Sequence, residues 1–231
     1  MQLINQAGEG MESLQVMKSA LPVLMVGLKM TIELTTLAVF FGCIIGLFMA
    51  LGKMSKNILL RYPSVVYIEF FRGSPLLVQL FLVYFGLPQM VGHPVDRFWS
   101  AVLVLSLNSG AYIAEIFRGG IQSIDRGQTE AARSLGMTHV QAMRHVILPQ
   151  AFKRVIPPMG NEFIAMMKDT SLVSVIGLAE LARTGQLIIA NNYRAMEIWF
   201  VVAIIYICMT VLISEFFVNR MERRLKAGDR S

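Results

Sequence analysis

Five stretches of this 231-residue chain stay apolar for the length of a bilayer crossing, and shorter polar, mostly basic stretches separate them. A membrane-crossing helix needs roughly 20 predominantly apolar residues. Residues 21–51, 62–88, 98–117, 158–179 and 198–218 meet that length. The pattern predicts an all-α integral membrane protein with about five transmembrane helices in one domain over 21–219. Residues 1–20 precede it as a weakly amphipathic lead-in. They lack the basic flank and adjoining short apolar core of a cleaved signal, so the lead-in is expected to be retained. A composition of 55% hydrophobic and 16% charged residues agrees with this class rather than with a soluble domain.

Charge sets the sidedness. Lys53, Lys56 and Arg61 follow the first span, Arg118, Arg126, Arg133, Arg144, Lys153 and Arg154 the third, and Arg220, Arg223, Arg224, Lys226 and Arg230 the fifth. The opposite loops, 89–97 and 181–197, carry only Arg97, Arg183 and Arg194. The positive-inside rule then predicts an N-terminus outside and a basic C-terminal tail, 220–231, in the cytoplasm, with Trp199 at the outer headgroup level. The net charge of +6 thus reports topology and contact with anionic lipid, not nucleic acid, because no soluble basic face with interleaved aromatics exists. Cys43 and Cys208 lie in apolar runs without metal-ligand spacing and read as packing residues.

The long cytoplasmic segment, 119–157, is water-compatible and reads as a helix pair. Gly136 interrupts it, and Thr138 with Gln141 forms a capping box, so one short helix is predicted over about 129–135 and another after Thr138, ended or bent by Pro149. Val140, Met143 and Ile147 make one apolar stripe on the second helix. That stripe either packs beneath the protein's own spans or the bilayer, or docks in a groove of another protein.

Catalytic chemistry finds no support. LGKMSK at 51–56 lacks the glycine offset and the Ser/Thr of a phosphate-binding loop, so nucleotide is not cradled in that way. His93, His139 and His145 have no metal-ligand spacing, and no serine sits in a G-x-S-x-G elbow.

Glu130, Ala131, Ala132, Gly136, Val146, Leu148 and Pro149 spell EAA-x3-G-x9-I-x-L-P with valine in place of isoleucine. The segment resembles the cytoplasmic loop of bacterial ABC importer permeases. EFFRGSPLLVQLFLVYFGLP (69–88), LNSGAYIAEIFRGGIQSI (107–124), KDTSLVSVIGLAEL (168–181) and the basic tail extend the resemblance over nearly the whole chain, to permeases for polar amino acids of the histidine, glutamine and arginine type. It implies a multi-pass protein of the bacterial cytoplasmic membrane that is not itself an enzyme. Its partners would be cytoplasmic ATP-binding subunits carrying ATP and magnesium, a second permease copy or a sister chain, and an extracytoplasmic binding protein that delivers the amino acid. No cofactor is expected on this chain. The resemblance makes 119–157 the coupling loop, with Glu130, Ala131, Ala132, Arg133, Gly136, Leu148 and Pro149 as its contact residues, Glu130 and Arg133 facing charged groups of the ATPase and Gly136 permitting the tight turn.

Polar groups at membrane depth mark a transport path. Glu69 and Arg72, and again Glu115 and Arg118, form two E-x-F-R-G boxes whose charges lie three apart on one face, so each pair would partly neutralise itself in a structural or gating role. RGSP at 72–75 breaks the second span: Ser74 is placed to cap and Pro75 to open a restarted helix, as in a discontinuous span that lines a cavity. Asn108 and Ser109 fall near mid-membrane in the third span, as substrate contacts or as interhelical hydrogen-bond partners. In the fourth, Glu162, Met166 and Asp169 share a face that would present two carboxylates to a cavity, while Lys168 and Asp169 would otherwise pair. Glu33 either pairs with Lys29 at the interface or joins Glu162 in the path. An acidic path favours a cationic amino acid, arginine, lysine or histidine. Glutamine or another polar amino acid is the alternative, and a gradient-driven carrier, which usually shows two inverted halves, is a further one.

Overall fold

The computed structural model describes residues 2–215 and Arg220, with side chains described from residue 11 onward. The remainder of the basic tail lies outside the described residues. All regular elements among them are helical. Three helices are long and apolar enough to cross a membrane, Met11–Met54, Arg97–Gln122 and Ala195–Ile213, and two bent pairs, Ile58–Gly73 with Leu76–Val91 and His139–Ile176 with Leu181–Asn192, reach that length and apolarity only when their two members are taken together.

Helix α1, Gln2–Met54, is the spine. The expected lead-in is not a separate element: its residues are the first turns of α1, and Pro22 is accommodated within the helix. Ion pairs hold this end in place, with Arg194 3.0 Å from Glu12 and 3.3 Å from Glu197. Farther along, Leu24, Thr31, Leu34, Thr35 and Ala38 are buried, while Val26, Phe40 and Phe48 face outward. Apolar residues all round are what a bilayer solvates. Glycines let α1 approach helix α5, Arg97–Gln122: a Cβ at Gly46 would lie 2.8 Å from Ile113 and 2.9 Å from the Gly110 carbonyl. Small residues at that crossing replace hydrophobic attraction with close backbone packing.

Helix α2, Ile58–Gly73, opens on Asn57, whose side chain accepts from the Leu59 N–H. It stops at the expected RGSP break. The chain then turns by 107° into α3, Leu76–Phe81, which continues through a π-turn, Leu82–Gly86, to α4, Leu87–Val91. Ser74 works differently from expectation. Its hydroxyl donates backwards to the Phe70 carbonyl at 2.7 Å, closing α2, and Pro75 precedes the first helical residue, Leu76, without a capping side chain.

Two corrections concern the last third. The pair expected to end or bend at Pro149 runs on: α6, Arg126–Ser134, and α7, His139–Ala142, lead through a π-turn, Met143–Ile147, into α8, Leu148–Asp169, with Pro149 in its first turn. The wider π-turn directly before it, in which the Met143 carbonyl accepts from the Leu148 N–H, is where the ladder adjusts to a residue that has no N–H to donate. The predicted span 158–179 does not stay α-helical. After Asp169 the chain narrows to a 3₁₀ helix, Thr170–Ile176, turns at Gly177 with φ 79°, and continues, bent by 47°, as α9, Leu181–Asn192, so most of the expected outer loop 181–197 is helix. Glu180, fully buried, caps α9 by accepting from the Ala182 and Arg183 N–H groups at 2.9 and 2.7 Å, and Tyr206 donates to it at 3.2 Å. Helix α10, Ala195–Ile213, completes the described bundle by packing Ile198, Val201 and Val202 against Leu24 and Leu181.

Candidate functional site

A cavity of about 330 Å³ opens where the α2–α3 break, α5 and α8 meet. Its polar wall consists of Ser74, Asn108, Tyr112, Glu162 and Asp169, and no lysine or arginine lines it. The shared face expected on the fourth span is present: Glu162, Met166 and Asp169 all line the cavity, and Lys168 does not.

Ser109 is fully buried and contributes indirectly, donating its hydroxyl to Glu162 Oε1 at 2.8 Å. Asn108 donates to Gln79 Oε1 at 3.0 Å and to the Phe71 carbonyl at 3.3 Å. Gln79 was not read from the sequence as a site residue. It is buried, and its amide nitrogen donates to the Phe71 carbonyl, the Ser74 carbonyl and the Ser74 hydroxyl at 2.9, 3.0 and 2.9 Å. The break frees backbone carbonyls within an apolar layer, and Gln79 satisfies them. A lone amide in LLVQLF, four residues past Pro75, was the available signal.

Glu33 is not brought to this cavity. Its carboxylate lies 3.6 Å from Lys29 Nζ, and the side chain is 45% exposed. Four residues apart on α1, the two charges meet on the outward face.

The two E-x-F-R-G boxes do not behave alike. Arg118 makes two hydrogen bonds to Glu115, at 3.1 and 2.7 Å, as its box predicts. Glu69 instead meets Lys53 at 3.4 Å, and Arg72 lies 3.9 Å from Glu115. Lys53 also reaches Glu115 at 2.9 Å. The α1–α2 turn brings Lys53 between the two carboxylates, a juxtaposition that spacing within one helix does not contain.

In the segment 119–157 the capping box of Thr138 and Gln141 is formed as read, with bonds of 3.3 and 2.8 Å. Gly136 adopts φ 85°, the left-handed region that glycine enters at low cost. Arg133 donates to the Met137 carbonyl at 2.8 Å and so buttresses this turn. Ala132 is buried, whereas Glu130, Ala131, Leu148 and Pro149 are exposed. The apolar stripe divides. Ile147 and Met143 pack with Ile121, Ile124 and Ala151 beneath the pair, while Val140, 73% exposed, and Leu135, 80% exposed, remain at its tip.

Residues 42–227 match the family described as binding-protein-dependent transport system inner membrane component. The chain belongs to that family. Among its relatives, the glutamine transport system permease protein of Escherichia coli strain K12 is 44% identical over 208 residues, spanning 90% of this chain and 94% of that one. The arginine transport system permease protein of Bacillus subtilis strain 168 is 40% identical over 209 residues, spanning 90% and 95%. A crystal structure of an amino acid ABC transporter with histidines superposes with a TM-score of 0.86 at 48% identity, over 90% of this chain and 96% of that one. This permease is therefore the membrane subunit of an ABC amino-acid importer in the inner membrane, and ATP hydrolysis belongs to a separate chain. The matched region includes the cavity, the ion cluster and the 119–157 segment of the permease.

Proposed function

We propose that the permease carries a cationic amino acid, arginine, lysine or histidine, through the cavity at the α2–α3 break. The observation that carries this reading is the pair of carboxylates, Glu162 and Asp169, on a wall without a basic side chain. A guanidinium or ammonium leaving water needs an ionic partner, and these carboxylates supply one. Ser109 holds Glu162 in place, and Asn108, fixed by Gln79, offers its amide oxygen to the α-ammonium or the side chain.

The exposed tip of the 119–157 segment, with Glu130, Leu135 and Val140, would seat on a cytoplasmic ATPase subunit, and Gly136 and Arg133 would keep the turn rigid so that motion of the ATPase reaches α8. This reading places the N-terminus outside and the 119–157 segment inside. Access would alternate with the ATPase cycle, and the complex would contain a second copy of the permease and an external binding protein.

Glutamine is the second reading. It is favoured by the Asn108–Gln79 amide pair at the cavity wall and by the glutamine-system relative. ATP hydrolysis by the complex, reconstituted in liposomes with the matching binding protein, separates the two. Stimulation by arginine, lysine or histidine supports the cationic reading; stimulation by glutamine alone replaces it.

A further inference from the structure

Arg72 stands immediately outside the cavity. Its guanidinium carbon is 5.4 Å from the ring centroid of Tyr112, a residue of the cavity wall, and Ser74, two positions along, belongs to the same wall. Glu115, one turn beyond Tyr112 on α5, is 3.9 Å from Arg72. The cluster of Lys53, Arg72, Arg118, Glu69 and Glu115 thus continues the cavity towards the end of α5 that leads into the 119–157 segment, and it carries one positive charge in excess.

The two arginines of this cluster are held very differently. Arg118 is fixed by two hydrogen bonds to Glu115 and by a further contact with Gln122. Arg72 makes no hydrogen bond among the described residues: it rests on an aromatic face and a long ion pair, with a side chain 39% exposed. Both kinds of contact are weak where water reaches them. Glu69 lies three residues before Arg72 on α2, is 65% exposed, and is held only by Lys53 at 3.4 Å. Residues three apart on a helix are within reach of each other, so Arg72 has a second anionic partner available without any backbone movement.

We propose that Arg72 is a two-position gating cation. In the position observed it covers Tyr112 and opposes passage of a cationic amino acid out of the cavity, or back into it. Swung onto Glu69, it uncovers the Tyr112 ring and Glu115, an aromatic face and a carboxylate suited to a passing guanidinium or ammonium. The fixed Arg118 keeps Glu115 in place throughout. This inference rests on the reading of the cavity as the transport path.

The test uses the full complex of permease, ATPase and binding protein in liposomes, with labelled arginine and labelled glutamine. ATP-driven uptake is measured first, and retention of the accumulated label is followed after ATP is exhausted. Arg72→Gln is expected to raise the rate of label loss by about tenfold, more for arginine than for glutamine. Glu69→Gln removes the second position and is expected to slow uptake by about fivefold while retention stays at the wild-type level. If Arg72→Gln does not assemble, Tyr112→Leu, which removes the ring and leaves every charge, is expected to leak as well. Arg72→Gln vesicles, or failing assembly Tyr112→Leu vesicles, that hold label like wild type overturn the proposal. So does a parallel loss of uptake in the Arg72 and Glu69 variants without leak, the result of a purely structural ion cluster. A wild-type complex that accumulates neither label overturns the transport reading itself, a failure distinguishable from a tight Arg72 variant.

Discussion

Ser109, buried at the middle of α5, donates a 2.8 Å hydrogen bond to Glu162 on α8. The bond orients a carboxylate in the cavity wall and ties together the two helices between which the cavity opens. Ser109→Ala leaves one Glu162 oxygen without this donor, at a cost of about 1 to 3 kcal/mol if nothing replaces it. We expect a raised KM for uptake with ATPase assembly preserved. An unchanged KM would remove Ser109 from the site.

Glu162→Gln tests substrate charge. The amide keeps the shape and loses the anion, so arginine uptake is expected to fall by about tenfold more than glutamine uptake, the usual scale for a charged partner lost in a desolvated site. Parallel uptake series with both labels measure the difference. Equal losses would count against the acidic-path reading.

Gly136 sits at φ 85° in the turn between α6 and α7. A side chain there is strained by about 1 kcal/mol or more, and a large one also alters the exposed tip beside Leu135. Gly136→Arg is expected to insert normally, by detergent extraction and size-exclusion profile, yet to lose substrate-stimulated ATP hydrolysis. Full stimulation in this variant would show that the turn has no part in coupling.

Glu180 is fully buried and joins α9 to α10 through two backbone bonds and the Tyr206 hydroxyl. Glu180→Ala strips a helix cap and orphans buried donors, together costing about 2 to 4 kcal/mol. A lowered midpoint in a thermal-shift assay in detergent is the expected result; a wild-type midpoint would mean that water enters and substitutes for the carboxylate.

The helical class, the apolar stretches and the capping box at Thr138 were legible along the chain, because each depends on residues close in sequence: a run of about 20 apolar side chains, or a hydroxyl three positions from an amide. The common face of Glu162 and Asp169 was legible for the same reason, since helical periodicity alone places them together. The break at RGSP was legible from its own residues, a glycine, a cap-former and a proline in succession.

Only the tertiary structure decided what that break does. Its 107° turn, and Gln79 reaching back to the carbonyls it frees, bring α3 beside α5, so Asn108 acquires its partner there. The same holds for Lys53, delivered by the α1–α2 turn between carboxylates 16 and 62 positions along the chain. The bend into α9 was hidden because a 3₁₀ segment and a glycine turn are no less apolar than a straight span. Hydropathy along the chain records which segments prefer lipid to water. Which polar atoms meet across helices depends on how each backbone satisfies its own hydrogen bonds where no water is available, and that is settled only when the helices pack.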